Sequence, residues 1–379
     1  MFSSSVGVDI DKFYFQEVIL LAKERLFDLP ETRGTFQIRG KVTGHDKESF
    51  YTETKTKTGK TMRRVNFGIT YDVENKRNKT MYISLQGMPQ ENVYFSKTTK
   101  RGEKPVTEKV EWSNRFNFNK EGFRLIGNRI GVTKVVNEKG EYVNDQKIMT
   151  DFDSAKQLGD HLSDNDSVFI KGKLDYSSFT TDDGSKRNSI KLVPNQVSLC
   201  KSEINFDDEK FEPVHEFTQV IVFNEINQEM EDEKPTGRFV VTANIVNYAT
   251  IEEAEFIVTN KKLANNMKKT LKAYDAIRVW GNMITSEQID EVESDDGWGT
   301  SNKMDRQTTP AKREFIITGA DPSSIDKDTY TEESIVAAKI KIKNAQDAKN
   351  DFGTADTTTD SGWGSVPSGE DNEDDDVAW

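Results

Sequence analysis

Gly34-Thr-Phe-Gln-Ile-Arg-Gly-Lys-Val-Thr43, Met62-Arg-Arg-Val-Asn-Phe-Gly-Ile-Thr-Tyr71 and Thr80-Met-Tyr-Ile-Ser-Leu-Gln86 decide the fold. Each alternates apolar and polar residues with a period of two, the pattern of a strand buried on one face. Phe36, Ile38 and Val42, then Val65, Phe67, Ile69 and Tyr71, then Met81, Ile83 and Leu85 are expected inside. Arg39, Lys41, Arg64 and Tyr82 are expected outside. Gly40, Gly68 and Gly87 fall where a tightly closing barrel needs bends or bulges.

Downstream, Phe152–Leu162 reads as a short helix. Strands follow at Val168–Phe179 and at Asn188–Val193 with Val197–Cys200, joined by a turn over Thr181–Ser185. Three strands, a helix and two strands is the element order of an OB-fold, a five-stranded Greek-key barrel. A β-sandwich needs about seven strands. The order then repeats: Phe217–Phe223, Gly237–Val246, Ala254–Val258, a helix over Lys262–Lys272, then Ala276–Ile284 and Glu314–Gly319. Lys171-Gly-Lys-Leu and Trp280-Gly-Asn-Met occupy the same place in each half.

The expected class is mainly β with short helices: two OB-fold-like five-stranded barrels, an N-terminal helix and a disordered acidic C-terminal tail. Residues 1–30 form the helix, over Asp9–Leu29, packed on the first barrel or used in self-association; Pro30 stops it. Residues 31–205 form the first barrel, with a long insertion at 89–150 between its third and fourth strands, and 206–215 form an acidic linker. The second barrel covers 216–325, a helix 326–351 and the tail 352–379. The insertion reads as a long surface loop whose aromatics hold a ligand. The tail is too poor in apolar surface to order itself.

Composition narrows the function. The chain is 34% hydrophobic and 31% charged, with a net charge of −13 and a mean hydropathy of −0.73. The sum hides a division: Phe36 to Ile130 holds about 20 Lys and Arg against about 10 Asp and Glu, whereas residues 351–379 hold about nine carboxylates and no base. One cysteine, Cys200, excludes a disulfide framework and reads as a buried thiol at a strand end. No apolar run reaches the ~18–20 residues that span a bilayer, and the start lacks a basic secretory signal; a cytoplasmic location is expected. His45, His161 and His215 lack ligand spacing and a neighbouring nucleophile. Asp164-Asn-Asp166 and Asp295-Asp296-Gly297 lack the twelve-residue calcium pattern and read as turns. No phosphate loop, nucleophile elbow or zinc-protease motif is present. No metal, cofactor or enzymatic activity is expected.

The loop between strands one and two carries Phe50, Tyr51, Lys55, Lys57, Lys60, Arg63 and Arg64. In an OB-fold this loop walls the groove. Cations neutralise phosphates there and rings stack bases at about 1–3 kcal/mol each. Arg39, Lys41, Tyr82, Tyr94, Phe95, Lys100, Arg101, Trp112, Arg115, Phe116, Phe118 and Arg124 extend the same composition. A solvated hairpin with ordinary surface lysines is the plain alternative. In the tail, Asp360-Ser-Gly-Trp-Gly-Ser365 precedes Glu370 to Trp379. An aromatic after a run of carboxylates reads as an anchor steered onto a basic partner, through Asp374, Asp375, Asp376, Val377, Ala378 and Trp379. Asp295-Asp-Gly-Trp-Gly-Thr300 echoes the tail motif and reads as a turn or a second docking site.

A basic, aromatic OB barrel followed by an acidic, aromatic-capped tip resembles the single-stranded DNA-binding proteins of replication. Those of bacteria end in an acidic segment capped by Pro-Phe, and those of T7-like phages in acidic residues and Phe. The resemblance covers the first barrel by element order and the last ten residues by pattern. It departs in the Trp379 cap, and in two barrels where the bacterial protein has one and assembles as a tetramer. The architecture looks more like a large bacteriophage's version, placing the protein in the host cytoplasm. The resemblance implies sequence-tolerant binding of single-stranded DNA in replication, recombination and repair, with the tail recruiting polymerase, helicase or primase. The competing reading is a structural or scaffolding OB protein, such as a virion component; an accessory domain of a nuclease or ligase is a third.

Overall fold

A computed structural model describes residues 25–56, 58–74, 77–97, 105–180, 186–231, 233–286 and 312–352. Among them the fold is mainly β, with three helices. The strands in order are β1 (Gly34–Thr43), β2 (Tyr51–Lys55), β3 (Thr61–Glu74), β4 (Arg77–Gly87), β5 (Asn92–Lys97), β6 (Val106–Glu111), β7 (Arg124–Leu125), β8 (Asn128–Gly131), β9 (Lys134–Val136), β10 (Tyr142–Asn144) and β11 (Lys147–Met149). Then come α1 (Asp151–His161), β12 (Ser167–Thr180), β13 (Lys186–Leu199), β14 (Val214–Glu231), β15 (Lys234–Val246), β16 (Ile251–Val258), α2 (Lys261–Thr270), β17 (Ala276–Ser286), β18 (Lys312–Asp326) and α3 (Glu332–Phe352).

Five strands close a first ring. β1 pairs antiparallel with β3, β3 with β4, β12 with β13, and β12 with β1. A parallel contact between Ile83 and Leu192 joins β4 to β13. The alternation in β1, β3 and β4 places its apolar residues as expected: Ile38, Val65, Ile69, Met81 and Ile83 have no exposed surface. β14 to β18 close a second ring with the same connections, including a parallel contact between Ile257 and Ile316. α1 and α2 hold the same place in the two rings. The Thr150 hydroxyl caps α1, accepting from the Asp153 amide at 3.2 Å, and Asn260 caps α2. Such caps satisfy otherwise unpaired helix amides. Phe152, Ala155 and Leu158 are buried from α1, and Ala264 and Met267 from α2.

The rings are joined by their first strands. β1 runs antiparallel to β14 with Phe36 opposite Phe217. Phe36 is also opposite Gly172 on β12, and Phe217 opposite Gly281 on β17. An operation exchanging Phe36 with Phe217 therefore carries each ring's first and fourth strands onto the other's. Both fourth strands change register at that glycine. A Cβ on Gly172 would lie 2.1 Å from the Val193 carbonyl oxygen, and on Gly281 1.8 Å from that of Ile316. Neither position admits a side chain.

The structure corrects three expectations. The insertion is folded rather than a loop: β5, β6 and β7 make a small sheet, β9 and β10 a hairpin, and β8 and β11 extend the main sheet beside β13. Residues 25–29 are not helical. Phe27 and Leu29 pack with Val222, Val246, Tyr330 and Ile335 under the second ring and α3, not on the first ring. β13 is one strand through Pro194, not two pieces. The expected helix over residues 9–24 and the tail lie outside the described residues.

Candidate nucleic-acid interface

Strand alternation turns the residues between the core positions of β3 and β4 outward. Arg64 and Asn66 lie opposite Gln86 and Ser84, and β13 brings Ser189 and Lys191 alongside. With Tyr82, Ile190, Leu192 and Arg313, the start of β18, they line a cleft of about 330 Å³. Tyr82 keeps 60% of its surface exposed, so its ring is open to stacking. Ser84 donates a hydrogen bond to the Asn66 side-chain oxygen at 2.7 Å. Arg64 donates from Nε and Nη2 to the Gln86 amide oxygen at 3.2 and 3.0 Å. A neutral oxygen thus aims the Arg64 guanidinium without cancelling its charge. Arg313 donates to the Ile190 carbonyl at 2.9 Å, and burial pushes its guanidinium below the usual range. The lining holds three cations and no carboxylate.

The other expected residues are scattered over several places. Lys55 and Lys60 are exposed at the β2–β3 hairpin. There Arg63 is 2.9 Å from Glu53 and lies over the Phe152 ring, 3.8 Å from its centre. Tyr51 leans on α1 at Gly159 and donates to Glu53 at 3.0 Å; burial and that bond push its phenol up to about 12. Phe50 and Phe95 are corrections: both are buried, Phe50 in the first ring's core and Phe95 under Phe118, at 4.4 Å between ring centres. Neither can stack a base.

Arg39 and Lys41 face outward but are occupied by the segment leading into β14. Arg39 donates to the Glu212 carbonyl at 2.7 Å and stacks on Phe211; Lys41 pairs with Glu203 at 3.0 Å. Trp112 does not reach the cleft. It meets Phe152 edge-on at 6.0 Å, and Arg115 lies between Trp112 and Phe116 at 4.3 and 4.1 Å. Asp153 holds that guanidinium at 2.8 and 3.1 Å. Phe116, 70% exposed, makes this a separate aromatic patch beside the start of α1. Tyr94 is exposed on β5, and Arg124 lines a separate pocket of about 610 Å³ with Lys97. Lys57, Lys100, Arg101, residues 295–300 and residues 374–379 lie outside the described residues. The sequence reading missed Ser84, Gln86, Ser189, Lys191 and Arg313. Strand parity points to the first four, but nothing local points to Arg313.

The same face of the second ring carries different chemistry. Phe67 opposite Ile83 corresponds to Val241 opposite Phe256, and Leu192 to Phe315, the last two each lying two residues before the partner of the bulge glycine. Arg64 then matches Arg238, Tyr82 matches Glu255 and Lys191 matches Glu314. Arg238 is consumed by Glu314 at 2.8 Å and Glu229 at 3.1 Å.

Cys200 is half-buried, and burial pushes its thiol up. Among the described residues no group of side chains could hold a metal ion, and no helix is long and apolar enough to cross a membrane. The family model described as YorF matches residues 102–354, about two thirds of the chain. Among curated proteins none matches. The wild-type single-stranded DNA-binding protein of Thermus aquaticus is 11% identical, with 77% of this chain and 93% of that chain covered and a TM-score of 0.38. A deletion mutant of the same Thermus aquaticus protein is 10% identical, with 80% and 98% covered and the same score. A score of this size does not establish a shared fold.

Proposed function

The chain belongs to the YorF family, and for this member we propose non-enzymatic, sequence-tolerant binding of single-stranded DNA in the cleft over β3, β4 and β13. Both rings are read as OB folds, whose second and third strands form the usual oligonucleotide face. The observation that carries the reading is the cleft itself: an exposed Tyr82 ring among Arg64, Lys191 and Arg313, with no carboxylate in the lining. Such a surface attracts phosphates and stacks bases whatever their sequence. Lys55 and Lys60 continue it toward the hairpin. The role belongs to replication, recombination or repair in the cytoplasm, of a phage-infected host if the chain is phage-encoded. The acidic residues 370–379 recruit replication proteins through Trp379.

Titrating labelled oligothymidylate and a matching duplex at several salt concentrations tests this. The expected result is preference for the single strand, with log affinity falling against log salt by about 0.7 for each phosphate neutralised. Weaker binding by Arg64→Ala is expected alongside. A flat salt response, or equal binding of the duplex, overturns the reading.

A further inference from the structure

We propose that the second ring ends the groove of the first: Arg313 binds a phosphate at its far side, and the carboxylates of β16 stop the strand from running on. This rests on the single-strand reading above. Arg313 belongs to β18 yet lines the first ring's cleft. Its Nη1–H is fastened to the Ile190 carbonyl at 2.9 Å, which leaves the rest of the guanidinium fork unspent. Among the described residues no carboxylate lies within ion-pair distance of it. Arg238 on the second ring, by contrast, lies within ion-pair distance of Glu314 and Glu229. A partly buried cation without a counter-charge is unfavourable unless an anion completes it. A phosphate oxygen is the group a guanidinium fork matches best.

The barrier lies next along the path. The Asn188 side chain donates to the Glu253 backbone oxygen at 2.8 Å, which sets β16 against β13 three residues before Lys191. Glu253 and Glu255 are exposed there, where the first ring has Thr80 and Tyr82. A polyanion leaving Arg313 meets like charge on the second ring, so the footprint closes at the junction.

The test uses the full chain and two lengths of oligothymidylate, about 10 and about 30 nucleotides, the first within and the second beyond the ~4–16 nucleotides of one OB-fold site. Arg313→Gln should weaken binding of both about tenfold and make the salt slope shallower by about 0.7, the loss of one phosphate contact. Arg313→Lys should restore the slope. A structural strut between the rings would lower the melting temperature and leave the slope alone; an unchanged slope in Arg313→Gln, whatever its melting temperature, overturns the phosphate role. Glu253→Lys with Glu255→Lys should tighten the longer oligomer several-fold over the shorter one, and equal tightening of both overturns the barrier. If Arg64→Ala and Tyr82→Ala weaken binding while Arg313→Gln does not, this inference fails and the single-strand reading stands. If none of the three weakens it, the single-strand reading fails.

Discussion

The two rings share their strand order, their helix position and the glycine at which the fourth strand changes register, but not the chemistry of their outer faces. Where the first has Arg64, Tyr82 and Lys191, the second has Arg238, Glu255 and Glu314. The first face holds charge that is oriented and unspent. On the second, Arg238 is locked in an ion pair with Glu314, which is itself only 7% exposed. Ring topology depends on inward residues and pairing edges, and both halves meet those physical demands. The outward positions are free of them, so one scaffold carries a face with unpaired cations and a face whose arginine is paired and whose other matching residues are acidic.

The comparison breaks first at its glycines. Gly172→Ala and Gly281→Ala should each cost about 3 kcal/mol in urea unfolding, because a methyl group drives into a carbonyl oxygen at both. A severe effect at Gly172 with none at Gly281 would show that the rings are not equivalent. Next comes the face: Tyr82→Ala should lose about 1–3 kcal/mol of single-strand affinity, and Glu255→Ala at the matching position should lose none. Equal losses in an anisotropy titration would erase the asymmetry.

The smallest expected effect concerns the junction. His215 of β14 packs on Tyr71 of the first ring at 4.7 Å, and its Nδ1–H donates to the Met283 carbonyl at 2.6 Å. Burial holds its imidazole below the usual range, against the pull of that carbonyl, Asp72 and Glu216. The unfolded chain therefore takes up the proton first. Stability is fullest above the ordinary histidine range and falls as pH drops through about 6.5. The ring is half-buried, so the effect stays under about 1 kcal/mol. Melting temperatures between neutral and mildly acidic pH should fall less in His215→Asn than in the parent; parallel curves would remove the histidine from the junction.

Much of the first ring was legible because its alternation is strict. Val65, Phe67 and Ile69 had to be inside if the segment was a strand at all, and they are. α1 and α2 were expected over Phe152–Leu162 and Lys262–Lys272, within two residues of their observed ends. The insertion was not: its strands are two to six residues long, too short for a periodic signal, and β8 is held by β13, far along the chain. Leu26 and Leu29 have helical spacing, but the second ring and α3 draw Phe27 and Leu29 into an irregular segment. For the cleft, Arg64 and Tyr82 followed from parity. Arg39 and Lys41 have the same parity and the same composition, yet Glu212, Phe211 and Glu203 cover them.

By itself the sequence determined which side chains face inward and the order of elements that repeats, since burial imposes a period on each strand regardless of its neighbours. Only the tertiary structure decided which outward charges stay free. It brought Arg313 beside Ile190 across 123 positions and set β1 against β14, because pairing and charge compensation depend on what arrives from elsewhere in the chain.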